Sequence, residues 1–160
     1  MRTIRTLAFT AALGLLALPT VGDAQSSPAD APVAFGADQG EYTPTGFSLR
    51  GRAEVFQGGN RLRADAIVGT TAEGELRRLE ATGGVYFVTP AQTMRGDRAV
   101  YDLTTDEVVV TGDVVLSQGQ NVLTGGRLVY NVRTEAARME GGGGQDGRIQ
   151  GVFYPDNRGG

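Results

Sequence analysis

The chain has 160 residues, a formal net charge of −3, 25 glycines, and neither cysteine nor histidine. Without cysteine no disulfide can staple the fold, and without histidine the usual general base and the commonest metal ligand are gone. All 15 basic residues are arginine, which removes lysine Schiff-base chemistry; the mild, interspersed acidity also lacks the basic stripe that nucleic-acid binding needs.

Arg2 and Arg5 precede an apolar run, Leu7 to Leu18, and Gly22 and Ala24 then stand at the minus-three and minus-one positions of a cleavage site. This predicts a secretory signal peptide over residues 1–24, its apolar core too short to remain as a bilayer-spanning anchor. An uncleaved membrane anchor is the alternative. Residues 25–33 follow as a flexible N-terminal segment, and no later stretch is apolar enough to cross a membrane.

From Gly51 onward three segments superimpose on a glycine: Gly51 to Val68, Gly83 to Tyr101 and Gly112 to Tyr130. The spacing is 32 and then 29 residues, which marks a repeat architecture. Half-units flank it: Asp38–Tyr42 echoes Asp97–Tyr101, and Met139-Glu-Gly echoes Val110-Thr-Gly. Each unit reads as strand, tight turn, strand, then a longer turn. Gln57–Asn60, Thr89–Gln92 and Gln118–Asn121 occupy the tight turn in the three copies. Glu73 to Arg78 reads as a hairpin flank.

The strands alternate with a period of two, and the phase holds across copies. Ala53, Val85 and Val114 align, as do Val55, Phe87 and Leu116; in the second strand Leu62, Met94 and Leu123 align, then Ile67, Ala99 and Leu128. Such alternation is what a half-buried antiparallel sheet requires, so the fold class is all-β. The small residues Ala64, Gly96 and Gly125 share one column and predict a bend or a close backbone approach.

Arg63 and Arg95 share an outward column, and Arg98 and Arg127 another; they read as solvated strand faces, or as contacts to phosphates of a glycolipid or to a partner. Asp38, Asp65 and Asp97 recur at one repeat position, which favours a turn or backbone-capping role over acid–base chemistry. Asp102, Asp106 and Glu107 lie in a turn compatible with a weak calcium site, although it lacks a calcium ligand loop. No serine has a histidine partner and no glycine-rich segment has the context of a phosphate loop, so no catalytic residue is identified, the chain does not read as an enzyme, and no cofactor is implied.

The best copy, Gly112-Asp-Val-Val-Leu-Ser-Gln-Gly to Gly126-Arg-Leu-Val-Tyr130, resembles the repeat of the LptA/OstA family, periplasmic proteins of lipopolysaccharide transport in Gram-negative bacteria. Phe35-Gly-Ala-Asp and Arg148 to Pro155 resemble the family's ends. The resemblance implies an open β-jellyroll over 34–155, built from repeated antiparallel strand-turn-strand units, with a flexible tail at 156–160. It implies an apolar groove that binds lipopolysaccharide acyl chains. Candidate lining residues are Phe47, Val55, Leu62, Ile67, Val85, Phe87, Met94, Tyr101, Val114, Leu116, Leu123, Leu128 and Tyr130. It further implies head-to-tail homo-oligomers, with edge strands pairing to an inner-membrane export complex and an outer-membrane translocon. The glycine-rich stretch 141–147 departs from the family pattern. Rival readings are a membrane-anchored inner-membrane relay of the same pathway, a self-assembling structural β-solenoid, and a carbohydrate-active enzyme using two carboxylates.

Overall fold

The computed structural model describes residues 27–142 and 147–155; the expected signal peptide, the tail 156–160 and most of the glycine-rich stretch lie outside them. After a single 3-10 turn at Pro28–Asp30 come ten strands: β1 (Val33–Gly36), β2 (Gln39–Thr43), β3 (Gly46–Gln57), β4 (Asn60–Ala72), β5 (Glu75–Val88), β6 (Thr93–Asp102), β7 (Glu107–Gln118), β8 (Asn121–Asn131), β9 (Ala137–Glu140) and β10 (Gln150–Val152). The six long strands β3 to β8 pair in sequence order, all antiparallel. Both borders of the sheet are split strands: β1 and β2 share the outer edge of β3, while β9 and β10 share that of β8.

The tight turns form where their residue types demand. Gly58 and Gly119 each take a left-handed φ of 58°, and Thr89 Oγ1 accepts from Gln92 N at 3.0 Å in the middle copy. Glu73 and Gly74 make the turn of the β4–β5 hairpin, with φ of 53° and 80°.

The anchor glycines of the repeat are not strand starts. They sit in mid-strand, because β5 already begins at Glu75 and β7 at Glu107. Gly51-Arg52, Gly83-Gly84 and Gly112-Asp113 are consecutive left-handed residues, with φ between 43° and 81°, and each doublet is a bulge where the ladder register shifts. Extra left-handed residues in one strand bend it sharply. Three such bulges in line crease the whole sheet.

The crease folds the sheet onto itself. Phe35 pairs with Val55 on β3, eight residues from Phe47, a separation of roughly 26 Å on a straight strand. Yet the rings of Phe35 and Phe47 stack with centroids 4.7 Å apart. Tyr101 on β6 likewise reaches Gln57 on β3, although β4 and β5 lie between them in the sheet. One layer therefore holds β2, β9 and the half-strands 46–50, 66–72, 75–82, 98–102, 107–111 and 127–131. The facing layer holds β1, β10 and the half-strands 53–57, 60–64, 85–88, 93–96, 114–118 and 121–125.

At the crease the aspartate column finds its place. Asp38, Asp65 and Asp97 lie against Gly51, Gly83 and Gly112, so that a Cβ on any of these glycines would fall under 3.0 Å from a carboxylate oxygen. The aspartates mark the bend rather than a turn, and the glycines are required both for their φ and for this contact. Gly126 occupies the fourth aspartate position.

Candidate functional site

The inward side chains form four rows, two in each layer, and their sizes follow the wedge between the layers. Nearest the crease the second layer carries the small residues Ala53, Ala64, Val85, Gly96, Val114 and Gly125, and they leave room for the first layer's row of Leu49, Ile67, Ala81, Ala99, Val110 and Leu128. The Cβ that Gly96 lacks would run into Val110 and the Thr111 carbonyl, and that of Gly125 into Met139. This is the close approach expected of that column. Farther out the second layer carries Val55, Leu62, Phe87, Met94, Leu116 and Leu123, and the first layer carries Phe47, Leu79, Tyr101, Val108 and Tyr130. Phe87 and Tyr130 meet edge to face across the interior at 5.8 Å.

All thirteen candidate residues point inward, and eleven are buried: Phe47, Val55, Leu62, Ile67, Val85, Phe87, Met94, Tyr101, Val114, Leu128 and Tyr130. Leu116 and Leu123 are only partly buried. With Phe153, Val122, Gln118 and Asn121 they line a cleft of about 40 Å³ at the β10 end, far short of an acyl chain. Among the described residues the buried side chains pack on one another, and Met94 is 0 % exposed. Leu49, Leu79, Ala81, Val108 and Val110 belong to this core as well, and the sequence reading passed over them. They precede the anchor glycines, in half-strands that a unit counted from the glycine leaves in its connecting turn.

At the mouth of the wedge, opposite the crease, the turn at Pro28–Asp30 bridges the layers. Gln57, buried at the tip of β3, donates from Nε2 to the Ala29 carbonyl at 2.7 Å and to that of Ala31 at 3.3 Å. Its Oε1 accepts from Tyr101 Oη at 2.7 Å. Pro28 covers the left-handed Gly58, and Ala29 packs on the core. From the other layer Arg133 forks onto Asp30 at 3.1 and 3.3 Å and donates to Asp106 at 2.7 Å. The hydrogen bonds from Arg133 hold the Asp30 carboxyl below its ordinary value, and burial pushes the Tyr101 hydroxyl up to about 12, helped by the Asp106 charge. Much of the segment expected to be flexible is thus tied to both layers.

The outward arginines lie on solvated faces. Arg98 pairs with Glu80, Arg127 with Glu140 at 3.0 Å, and Arg63 with Glu54 at 3.3 Å. In the other acidic cluster Asp102 accepts from the Thr104 hydroxyl and from Thr104 N at 2.9 Å, which together lower its pKa, and Asp106 is engaged by Arg133. Among the described residues no helix is long and apolar enough to cross a membrane.

A creased antiparallel sheet closed over one apolar interior, with a split strand at each border, is an open β-jellyroll. The sequence profile described as LptA/(LptD N-terminal domain) LPS transport protein matches residues 37–136, and the chain belongs to that family. The crystal structure of LptH, the LptA homologous periplasmic component of the lipopolysaccharide transport device of Pseudomonas aeruginosa, superimposes with a TM-score of 0.74. That match has 19 % identity and covers 81 % of this chain and 100 % of the other. A curated relative from Rhizobium meliloti (strain 1021), the uncharacterized protein R00383, is 29 % identical over 118 residues, 68 % of this chain; the aligned region spans only 62 % of that relative's length.

Proposed function

We propose that the protein is a periplasmic carrier of lipopolysaccharide, bridging an inner-membrane transporter and an outer-membrane translocon with acyl chains sheltered between its two layers. The observation that carries this reading is the unbroken apolar lining: every inward row runs from the β2–β3 border to the β8 border, in a chain of the LPS transport family. Burial of each methylene contributes about 0.8 kcal/mol, so a ten-carbon chain represents roughly 8 kcal/mol of gross burial without any catalytic group. The inward side chains pack on one another across the interior, so cargo must displace contacts between the layers. The domain carrying this activity is 34–155, and export removes residues 1–24. The exposed backbone edges of β1–β2 and β9–β10 supply pairing surfaces for head-to-tail copies and for both membrane partners.

Photo-crosslinking tests the reading. Probes at Phe87, Leu116 and Leu128, with lipopolysaccharide present, are expected to yield lipid adducts on the folded protein, Leu116 most readily because it borders the cleft at the β10 end. No adduct at any of the three overturns the groove.

A further inference from the structure

Resting on that carrier reading, we propose that residues 27–31 are an intramolecular clasp that locks the two layers together at the mouth and must let go before an acyl chain can enter.

Four independent contacts support it. The segment reaches one layer through Gln57, whose amide donates to two of its carbonyls, and through Pro28 seated on Gly58. It reaches the other layer through the Asp30–Arg133 fork. Ala29 lies on the apolar core between these anchors. The backbone-directed amide and the exposed ion pair differ in strength. Gln57 is buried and its bonds are shielded from water, whereas Asp30 and Arg133 are about half exposed and screened. The clasp therefore opens from the Arg133 side and hinges on Gln57. Tyr101, whose hydroxyl holds the Gln57 side chain, is in register with Val108, 1 % exposed, and Val108 with Tyr130. An open clasp uncovers that aromatic row first.

The absence of cysteine permits a clean test. Val108→Cys places one buried thiol in that row, beside Tyr101, and its rate of maleimide labelling reports opening without any ligand. Asp30→Asn is expected to raise that rate about two- to fivefold, the range open to an exposed ion pair, while Arg127→Gln, which breaks an ion pair away from the mouth, leaves it unchanged. Equal rates in the Asp30→Asn and Arg127→Gln backgrounds overturn the clasp. The pair Pro28→Cys and Gly58→Cys then locks it. The Pro28 Cβ lies 3.2 Å from the position a Cβ on Gly58 takes, short of the ~3.5 Å lower bound of a disulfide, so the bridge closes once the segment shifts by a few tenths of an ångström, and the reduced form is also compared with the wild type. Uptake of lipid A from micelles is expected to be at least tenfold slower in the oxidised than in the reduced form. Equal uptake in both forms overturns the clasp and leaves the carrier standing. No uptake by either form or by the wild type overturns the carrier, and the labelling rates alone then decide the clasp.

Discussion

The phenol of Tyr101 donates a 2.7 Å hydrogen bond to Oε1 of Gln57, joining two side chains that lie in opposite layers and three strands apart in the sheet. The same Gln57 side chain donates to Ala29 and Ala31, so one buried amide ties together both layers and the N-terminal segment.

Removing either partner of that bond leaves a buried polar atom unmatched. Tyr101→Phe orphans Gln57 Oε1 and is expected to lower unfolding free energy by about 1–2 kcal/mol. Gln57→Leu also frees the N-terminal segment and is expected to cost more. Urea midpoints at unchanged m-value check both.

The crease makes a sharper demand. Gly112→Ala forces a φ of 80° on a residue with a Cβ and drives that Cβ into the Asp97 carboxylate. The left-handed backbone alone costs about 1–2 kcal/mol, so a total above ~2 kcal/mol is expected. Asp97→Gly, which removes the Asp97 Cβ at 2.8 Å along with the carboxylate, should return the steric part but not the conformational part. A double-mutant cycle measures the coupling, and additive effects contradict the contact.

Stability should also fall at high pH for a local reason. The folded-state pKa of Tyr101, about 12, lies above its ordinary value of 10.0. The folded state therefore holds a proton that the unfolded state releases, and this contribution is complete below pH 10 and lost as pH rises toward 12. Asp30 runs the other way: with its pKa depressed below 3.8 by Arg133, its contribution is present above that value and disappears as pH falls through the folded one. Thermal melts from pH 3 to 12 show both limbs, and Tyr101→Phe is expected to flatten the alkaline one.

Two lining residues on the adjacent strands β7 and β8 should respond differently to truncation. Leu128 is fully buried, so Leu128→Ala is expected to cost about 2–5 kcal/mol. Leu116 is partly exposed beside the small cleft, and Leu116→Ala should cost about 1 kcal/mol while reducing lipid crosslinking. Calorimetry alongside crosslinking yield separates the two effects.

Much of this arrangement is legible before any coordinates. The three tight turns are local chemistry, and the inward columns are a period-two pattern repeated in phase, so both read directly from residue order. The anchor glycines are equally visible but easy to misplace. Glycine usually punctuates strands, and only the left-handed doublets reveal that these bend strands in mid-course, which is why Leu79, Ala81, Val108 and Val110 escape a unit counted from the glycine. The aspartate column can be seen in the repeat, yet its partner glycine lies on a neighbouring strand. Least legible is the N-terminal segment: nothing in Ser27-Pro-Ala-Asp30 announces Arg133, 103 residues away.

The split borders carry a consequence of their own. A neighbouring strand that adds to β1 and β2 must grip four or five residues, turn through the crease between Gly36 and Gln39, and grip again. A flat strand can satisfy one segment or the other but not both. The border thus acts as a bent keyway: it admits backbones that share its angle and turns away the straight β-segments from which runaway aggregates grow.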